Sequence, residues 1–111
     1  MSISTHVLDA ATGSPATGMR VALWRREGDR DTSVAEGVTD DDGRCPELSG
    51  SVRLDVGVYR IRFETGAWFA ARSTPTFYPI VELTFEVLDA GAHHHVPLLL
   101  SPFAFTTYRG S

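Results

Sequence analysis

The chain has 111 residues, of which 42% are hydrophobic, and a formal net charge of −4 at pH 7. That length suits one domain with its own core, so we expect residues 1–111 to form a single domain. The mild acidity argues against nucleic acid or an anionic membrane surface as the main partner, and no apolar run is long enough to span a bilayer. All ten basic residues are arginine, which excludes Schiff-base catalysis by a lysine.

The first half of the chain predicts short strands separated by turns. Residues 3–9, 18–25 and 32–39 are rich in apolar and β-branched residues and end at turn-forming residues. The charged segment 26–31 between the second and third of these strands is expected to be a loop. The run Asp40-Asp41-Asp42-Gly43 predicts a tight turn, because aspartate tolerates its geometry and glycine supplies a positive φ. Arg44 follows this turn directly and begins a short strand.

The second half predicts further strands and the only helix. The expected strands are 57–64, 80–88 and two terminal strands, one before and one after Ser101-Pro102. The expected helix is 65–72, and residues 47–55 are polar and irregular. Residues 57–64 alternate cleanly, with Tyr59, Ile61 and Phe63 facing the core. About eight short strands with one short helix indicate an all-β fold, a two-sheet antiparallel β-sandwich.

The two terminal strands have one apolar and one mixed face. Side chains alternate between the faces of a strand, so Val96, Leu98 and Leu100 share an apolar face. His93, His95, Pro97 and Leu99 lie on the other, and the same argument places Thr106 and Tyr108 together on the second strand. Such a face is a poor core surface, and we predict that it forms the floor of a polar ligand site.

His6, Arg44 and His95 are the candidate catalytic residues. An imidazole can act as acid or base near neutral pH, and a guanidinium is a permanent cation that can hold a carbonyl oxygen or an oxyanion. Two histidines and an arginine suit hydrolysis of a polar heterocycle. Each of these residues alone is more often structural or simply solvated.

Two other kinds of site are less supported. His93 and His95 share a face and His6 could be a third zinc ligand, but the chain lacks a His-Glu-x-x-His or paired Cys-x-x-Cys pattern, so we predict no metal. Cys45 cannot form an internal disulfide. A neighbouring Arg44 could lower the pKa of its thiol, but we interpret Cys45 as a partly buried bystander because the sequence places no base for it.

Several segments spread along the chain resemble the 5-hydroxyisourate hydrolases, also called transthyretin-related or transthyretin-like proteins. The segments that carry the resemblance are Ser4-Thr5-His6-Val7-Leu8-Asp9 with Gly13-Ser14-Pro15-Ala16, Thr39-Asp40-Asp41-Asp42-Gly43-Arg44, Phe77-Tyr78-Pro79, His93-x-His95 with Val96-Pro97-Leu98-Leu99-Leu100-Ser101-Pro102, and the closing Tyr108-Arg109-Gly110-Ser111. The resemblance therefore covers essentially the whole chain.

The resemblance implies a transthyretin-like fold, a reaction and an assembly. The reaction is hydrolysis of 5-hydroxyisourate to 2-oxo-4-hydroxy-4-carboxy-5-ureidoimidazoline in urate degradation, without a cofactor. The assembly is a homotetramer, a dimer of dimers with the sites at the dimer–dimer interface. The implied catalytic residues are His6, Arg44 and His95. The implied substrate-binding residues are the same three with Tyr108, Arg109, Gly110 and Ser111.

One position departs from the family pattern, which usually has tyrosine where this chain has His94. By alternation His94 lies on the Val96 face, away from the site, so we expect a packing effect without a change in chemistry.

Two other functions are compatible with the same fold class. The first is a small-molecule carrier such as transthyretin, but the resemblance aligns the carrier as lacking both histidines, the turn arginine and the closing tetrapeptide. The second is a generic β-sandwich adhesion or scaffold module, which has no need of a polar strand face. The N-terminus lacks the features of a signal peptide, so we expect a cytoplasmic protein.

Overall fold

The computed structural model describes residues 2–50 and 54–111. Within them the chain forms nine strands and one helix: β1 (Ile3–Asp9), β2 (Ser14–Pro15), β3 (Arg20–Glu27), β4 (Arg30–Val38), β5 (Arg44–Cys45), β6 (Gly57–Phe63), α1 (Thr65–Ala70), β7 (Val81–Val87), β8 (His94–Ser101) and β9 (Ala104–Thr107). Of the segment 47–55 that we predicted to be irregular, 51–53 lie outside the described residues, and 47–50 form turns.

The strands build the two sheets expected of a β-sandwich. One sheet has the order β2-β1-β8-β9, with β5 also paired to β1, and the other has the order β4-β3-β6-β7. Every strand pairing in the described parts of the chain is antiparallel except that between β1 and β8, which is parallel. No local sequence pattern predicts this parallel pair, because its two strands are separated by most of the chain and need no short connection.

Alternation along the strands explains the core. Tyr59, Ile61 and Phe63 are buried, as predicted, and pack with Ile3 and Val7 of the facing sheet. Val81, Leu83 and Val87 of β7 are buried as well, whereas Phe85 is only partly buried and packs against the core. Burying these side chains contributes on the order of 1.5–3 kcal/mol each relative to full exposure.

Two local predictions differ from the structure. The charged segment predicted as a loop around 26–31 is instead the closed end of the β3–β4 hairpin, where Glu27 pairs with Arg30. Gly28 has φ +65° there, which lets a two-residue turn join the strands. The helix is also shorter than predicted and ends at Ala70.

Helix α1 is fixed to the sandwich by its aromatic residues. Trp68 and Phe69 are buried, and the Trp68 indole Nε1 donates a hydrogen bond to the Thr17 carbonyl at 2.8 Å. Among the described residues, no helix is long and apolar enough to cross a membrane.

Candidate active site

The pairing of β5 with β1 brings Arg44 beside His6. The two residues are direct cross-strand partners, as are Cys45 and Thr5. Opposed residues of an antiparallel pair project to the same face. Thr5 and Cys45 are buried in the core, so His6 and Arg44 project from the outer face of their sheet.

The turn before β5 is locked by its first aspartate. The Asp40 carboxylate oxygen Oδ1 accepts hydrogen bonds from the backbone N–H groups of Asp42 and Arg44, each at 2.9 Å. Gly43 has φ +75°, and a Cβ there would collide with the carbonyl oxygen of Val7. Asp40 and Gly43 therefore fix the backbone position from which the side chain of Arg44 extends.

The parallel pairing of β8 with β1 places His95 opposite Ser4. Ser4 is 4% exposed, and its hydroxyl lies 2.7 Å from His95 Nδ1. It also lies 2.9 Å from His93 Nε2, and His93 Nδ1 in turn lies 2.6 Å from the Ser2 hydroxyl. The His93 and His95 rings are nearly parallel, with centroids 6.4 Å apart.

The end of the chain returns to His95. The Gly110 N–H donates a hydrogen bond to the His95 carbonyl at 2.9 Å, and a Cβ at position 110 would come within 2.5 Å of His95 Cδ2. No larger residue fits there without moving the imidazole. Ser111 lies beside Arg44 and His95 in an open depression of about 260 Å³, which Ser4 and His93 also line.

Tyr108 and Arg109 occupy a neighbouring groove of about 370 Å³. Its walls include β7 residues 82–86 and His94, and it borders the first depression at His95. We predicted that Tyr108 shares the Thr106 face, but β9 ends at Thr107, so strand alternation no longer sets its direction. Within one chain, Tyr108 and Arg109 therefore lie in a different depression from Arg44 and Ser111.

The electrostatic surroundings favour a neutral His95. Burial lowers the pKa of His95, and the positive charges of Arg44, His6 and His93 lower it further. Desolvation and neighbouring cations both disfavour the imidazolium, so the ring can accept a proton near neutral pH. The ion pairs found in the described parts of the chain do not include Arg44, so its charge is available to a ligand.

His94 lies on the opposite side of the sheet, as alternation predicted. It is 5% exposed, and its Nδ1 is buried without a hydrogen-bond partner among the described residues. Burial is the main cause that lowers the pKa of His94, followed by the charge of Arg109. Its location, on the Val96 side, separates it from the His6 and Arg44 face.

The structure adds no support for the zinc site or for a reactive Cys45 thiol, the two less supported sites of the sequence analysis. Burial and then Asp40 raise the pKa of the Cys45 thiol, which keeps it protonated and is the opposite of the activation considered above. In residues 2–50 and 54–111, no group of three or more histidine, cysteine, aspartate or glutamate residues is arranged to hold a metal ion.

A larger depression of about 410 Å³ lies on the outer face of the other sheet. Its lining includes Arg20, Trp24 and Arg62 together with two glutamates. Arg62 is paired with Glu64 at 3.1 Å. Mixed and partly neutralised charges give this surface no clear ligand preference, so we assign the site to the His95 side.

Sequence reasoning placed His93 on the predicted floor of the site but gave neither His93 nor Ser4 a role in the reaction. Alternation already placed Ser4 on the His6 face and His93 on the His95 face. What the sequence could not show was the register of β1 against β8, which sets Ser4 between the two imidazoles.

Comparisons with known proteins agree with the fold. Residues 3–110 match the family model described as "Transthyretin: HIUase/Transthyretin family". A 5-hydroxyisourate hydrolase from Deinococcus radiodurans is 43% identical over 113 residues, which cover 98% of this chain and 95% of that protein. A probable 5-hydroxyisourate hydrolase from Caenorhabditis elegans is 42% identical over 110 residues, covering 99% of this chain and 82% of that protein.

Solved structures give the same picture. The structure of Klebsiella pneumoniae 5-hydroxyisourate hydrolase superposes with a TM-score of 0.88 at 39% identity and covers 100% of both chains. Sea bream transthyretin in complex with thyroxine superposes with a TM-score of 0.92 at 30% identity, covering 99% of this chain and 95% of that one. The chain belongs to the HIUase/Transthyretin family.

Proposed function

We propose that this protein, with residues 1–111 acting as one domain, hydrolyses 5-hydroxyisourate to 2-oxo-4-hydroxy-4-carboxy-5-ureidoimidazoline in urate degradation. The substrate is a cyclic amide, so the reaction is a cyclic amide hydrolysis. Relatives 39–43% identical over nearly the whole chain carry the name 5-hydroxyisourate hydrolase. The observation that carries the proposal is the convergence of Arg44, His95 and Ser111 in one small depression, with His6 opposite Arg44.

The geometry supports different roles for the groups: the cation Arg44 stabilises negative charge, and the imidazoles of His6 and His95 transfer protons. A water molecule attacks the C6 carbonyl of the substrate, and neutral His95 accepts the water proton through Nε2, since Nδ1 is engaged by Ser4. Arg44 holds the oxygen on which negative charge develops. The ring C–N bond then breaks, and the leaving nitrogen receives a proton from a histidine of the pair His6 and His95.

The four residues of the closing tetrapeptide have different positions around this centre. Gly110 packs on the edge of the His95 ring, and Ser111 lies in the depression with Arg44. We propose that both, with Tyr108 and Arg109, bind the substrate and close the site. Tyr108 and Arg109 line the adjoining groove in one chain, so their contact with substrate requires the ordered assembly or a movement of the tail.

That assembly is a homotetramer, a dimer of dimers with the sites at the dimer–dimer interface. Large aromatic side chains on the surface of one chain support this: Phe77 is 68% exposed and Phe103 is 67% exposed. Exposed apolar side chains that cluster on a small protein mark an interaction surface. We further propose a cytoplasmic location, to which a single buried free thiol, Cys45, is suited.

A transthyretin-like carrier is the second candidate. The TM-score of 0.92 to a thyroxine-bound transthyretin favours it at the level of the fold. The side chains favour the hydrolase, because a carrier of an apolar hormone needs neither a lowered imidazole pKa nor an unpaired guanidinium at the site. An experiment can distinguish the two candidates, because a hydrolase consumes its ligand and a carrier only binds it.

The experiment that tests the proposal follows substrate decay. Urate oxidase generates 5-hydroxyisourate from urate in the cuvette, and the ultraviolet band of the product is recorded with and without the protein. We expect accelerated decay that a chelator does not change. Decay at the spontaneous rate, together with saturable binding of thyroxine, would favour the carrier instead.

A further inference from the structure

The hydroxyl of Ser4 connects the candidate base His95 to a second imidazole, His93, which has no role in the reaction proposed above. Its oxygen lies 2.7 Å from His95 Nδ1 and 2.9 Å from His93 Nε2, and the Ser2 hydroxyl lies 2.6 Å from His93 Nδ1. Ser4 is almost completely buried, whereas His93 is exposed. The four side chains thus form a continuous hydrogen-bonded path from the site to the surface.

A hydroxyl can donate only one proton, so when both imidazoles are neutral one ring donates to Ser4 and the other accepts from it. In one arrangement His95 Nδ1–H donates to Ser4, Ser4 donates to His93 Nε2, and His93 Nδ1–H donates to Ser2. This leaves His95 Nε2 without a proton, ready to act as a base. Reversing all three bonds leaves a proton on Nε2, ready to act as an acid.

We propose that Ser4 and His93 form a proton relay behind His95, in which His93 is the temporary store for the proton taken from the attacking water. This inference rests on the proposed hydrolysis of 5-hydroxyisourate. Ser4 and His93 do not touch the reacting atoms and act through His95, so they are positioning and relay residues.

Each step of the relay conserves protons and charge. As the water oxygen bonds to the substrate carbonyl carbon, the carbonyl oxygen takes the π electron pair and one water proton moves to His95 Nε2. The Nδ1 proton of His95 moves to Ser4, whose own proton moves to His93 Nε2. The positive charge then resides on His93. When the ring C–N bond breaks, the same protons move back and His95 Nε2 protonates the leaving nitrogen.

The charges around the two rings explain why the proton would move outward. Burial is the main cause that lowers the pKa of His95, and the charges of Arg44 on β5, His6 on β1 and His93 lower it further, so a positive charge on its ring is disfavoured. His93 precedes β8 at the exposed rim, where water solvates a charge. The path through Ser4 therefore separates the proton from the cation that stabilises the oxyanion.

The test uses the exposure of His93. A His93→Gly protein leaves an open space that a small base can enter, and position 93 lies outside a strand, so the fold should be retained. We expect kcat to fall about tenfold or more with little change in KM, since general acid–base catalysis is lost and substrate contacts are kept. Added imidazole should restore much of the rate.

Three comparisons separate a relay from simple packing. Added 1,2,4-triazole has the same shape but is a much weaker base, and it should restore little activity. A Ser4→Ala/His93→Gly protein should not respond to imidazole, because the connecting hydroxyl is missing. A Ser33→Ala protein, changed at an exposed serine of β4, should keep the wild-type rate.

The outcomes distinguish this inference from the proposed function. If the wild-type protein hydrolyses 5-hydroxyisourate and His93→Gly retains its kcat, the relay is wrong and the function stands. Equal restoration by imidazole and triazole would also overturn the relay, because it would show that filling the space is sufficient. If the wild-type protein does not accelerate decay, the proposed function itself has failed. A His93→Gln protein, which keeps an amide near Ser4 but no titratable group, provides a second variant that should show the same loss of kcat.

Discussion

At the scale of single residues, the site depends on placing positive charges around a base that must stay neutral. Arg44 and His6 are cross-strand partners, and both lower the pKa of His95. Burial is the main cause that lowers the pKa of His95, and the cation proposed to stabilise the oxyanion adds to it, which leaves the imidazole able to accept a proton. One charge serves two steps of the proposed reaction.

Replacing Arg44 tests the oxyanion role. We expect Arg44→Gln to lower kcat by about a hundredfold or more, because a preorganised charged donor is lost. The fold should survive, since Arg44 is exposed. Steady-state kinetics with 5-hydroxyisourate measure the effect, and Arg20→Gln, on the outer face of the other sheet, is the matched control. Wild-type kcat in Arg44→Gln would remove the guanidinium from the mechanism.

The buried His94 makes stability depend on pH. Its pKa is lowered in the folded protein, whereas the unfolded chain protonates near the ordinary histidine value of about 6.5. The unfolded state therefore binds more protons as the pH falls through that value, and the free energy of unfolding decreases until the folded-state pKa is passed. His95, whose pKa is also lowered, adds to this loss.

Replacing His94 by tyrosine, the residue usual in the family, should flatten this dependence. Denaturant unfolding curves at several pH values below about 6.5 should show a smaller loss of stability for His94→Tyr than for the wild type. Hydrolysis at neutral pH should be unchanged, because His94 lies on the other side of the sheet. An unaltered pH dependence would mean that His94 is not protonated on unfolding in this range.

At the scale of the elements, the site is made by strand register. β1 supplies Ser4 and His6, β5 supplies Arg44, and β8 supplies His95, all from neighbouring positions of one sheet. The tail residue Gly110 then pairs with His95 as an isolated bridge. A shift of any of these strands by one residue would turn its functional side chain into the core.

The tail contact gives a sharp test at this scale. Gly110→Ala would place its Cβ 2.5 Å from His95 Cδ2, so the imidazole or the tail must move. We expect kcat to fall about tenfold, since a displacement of about 1 Å at a catalytic group is costly, while thermal stability changes little at this chain end. Gly91→Ala, in an exposed turn, is the control. Full activity in Gly110→Ala would show that the tail does not fix His95.

The sequence predicts the side-chain directions along the strands but not how distant strands pair. Alternation gave the core faces of β6 and β8 and the outward direction of His6 and His95, because side-chain direction in a strand is local. The parallel pairing of β1 with β8 was not predicted, since residues so far apart in sequence leave no local pattern. For the same reason Ser4 was not placed between His93 and His95. The direction of Tyr108 stays a prediction without a basis in alternation, because β9 stops one residue before it.

At the scale of the whole molecule, one chain leaves several aromatic side chains exposed. Phe77 and Tyr78 form an edge-to-face pair, and Tyr78 forms another with Phe105. Phe103 lies at the turn between β8 and β9, and its ring is largely exposed. This aromatic surface lies next to the β8–β9 hairpin, which carries His95. In the proposed tetramer, loss of contacts at this surface should therefore also affect the candidate site.

A charged substitution in the aromatic surface tests that link. We expect the wild-type protein to sediment at four times the 12.1 kDa chain mass, and Phe103→Glu to dissociate it, because burying an unpaired carboxylate at an interface is unfavourable. Hydrolysis should fall together with the mass. Val56→Glu, at a side chain that is also more than half exposed, is the control. A Phe103→Glu protein that keeps both mass and rate would place the interface elsewhere.

The measurement that tests the central claim most directly is kcat/KM of His95→Gln for 5-hydroxyisourate, determined beside the wild type. The glutamine keeps a polar side chain opposite Ser4 but cannot accept the proton of the attacking water. We predict a loss of about a hundredfold or more, with unchanged circular dichroism. A His95→Gln protein with the wild-type kcat/KM would contradict the claim that the outward imidazoles of this sheet carry the hydrolysis.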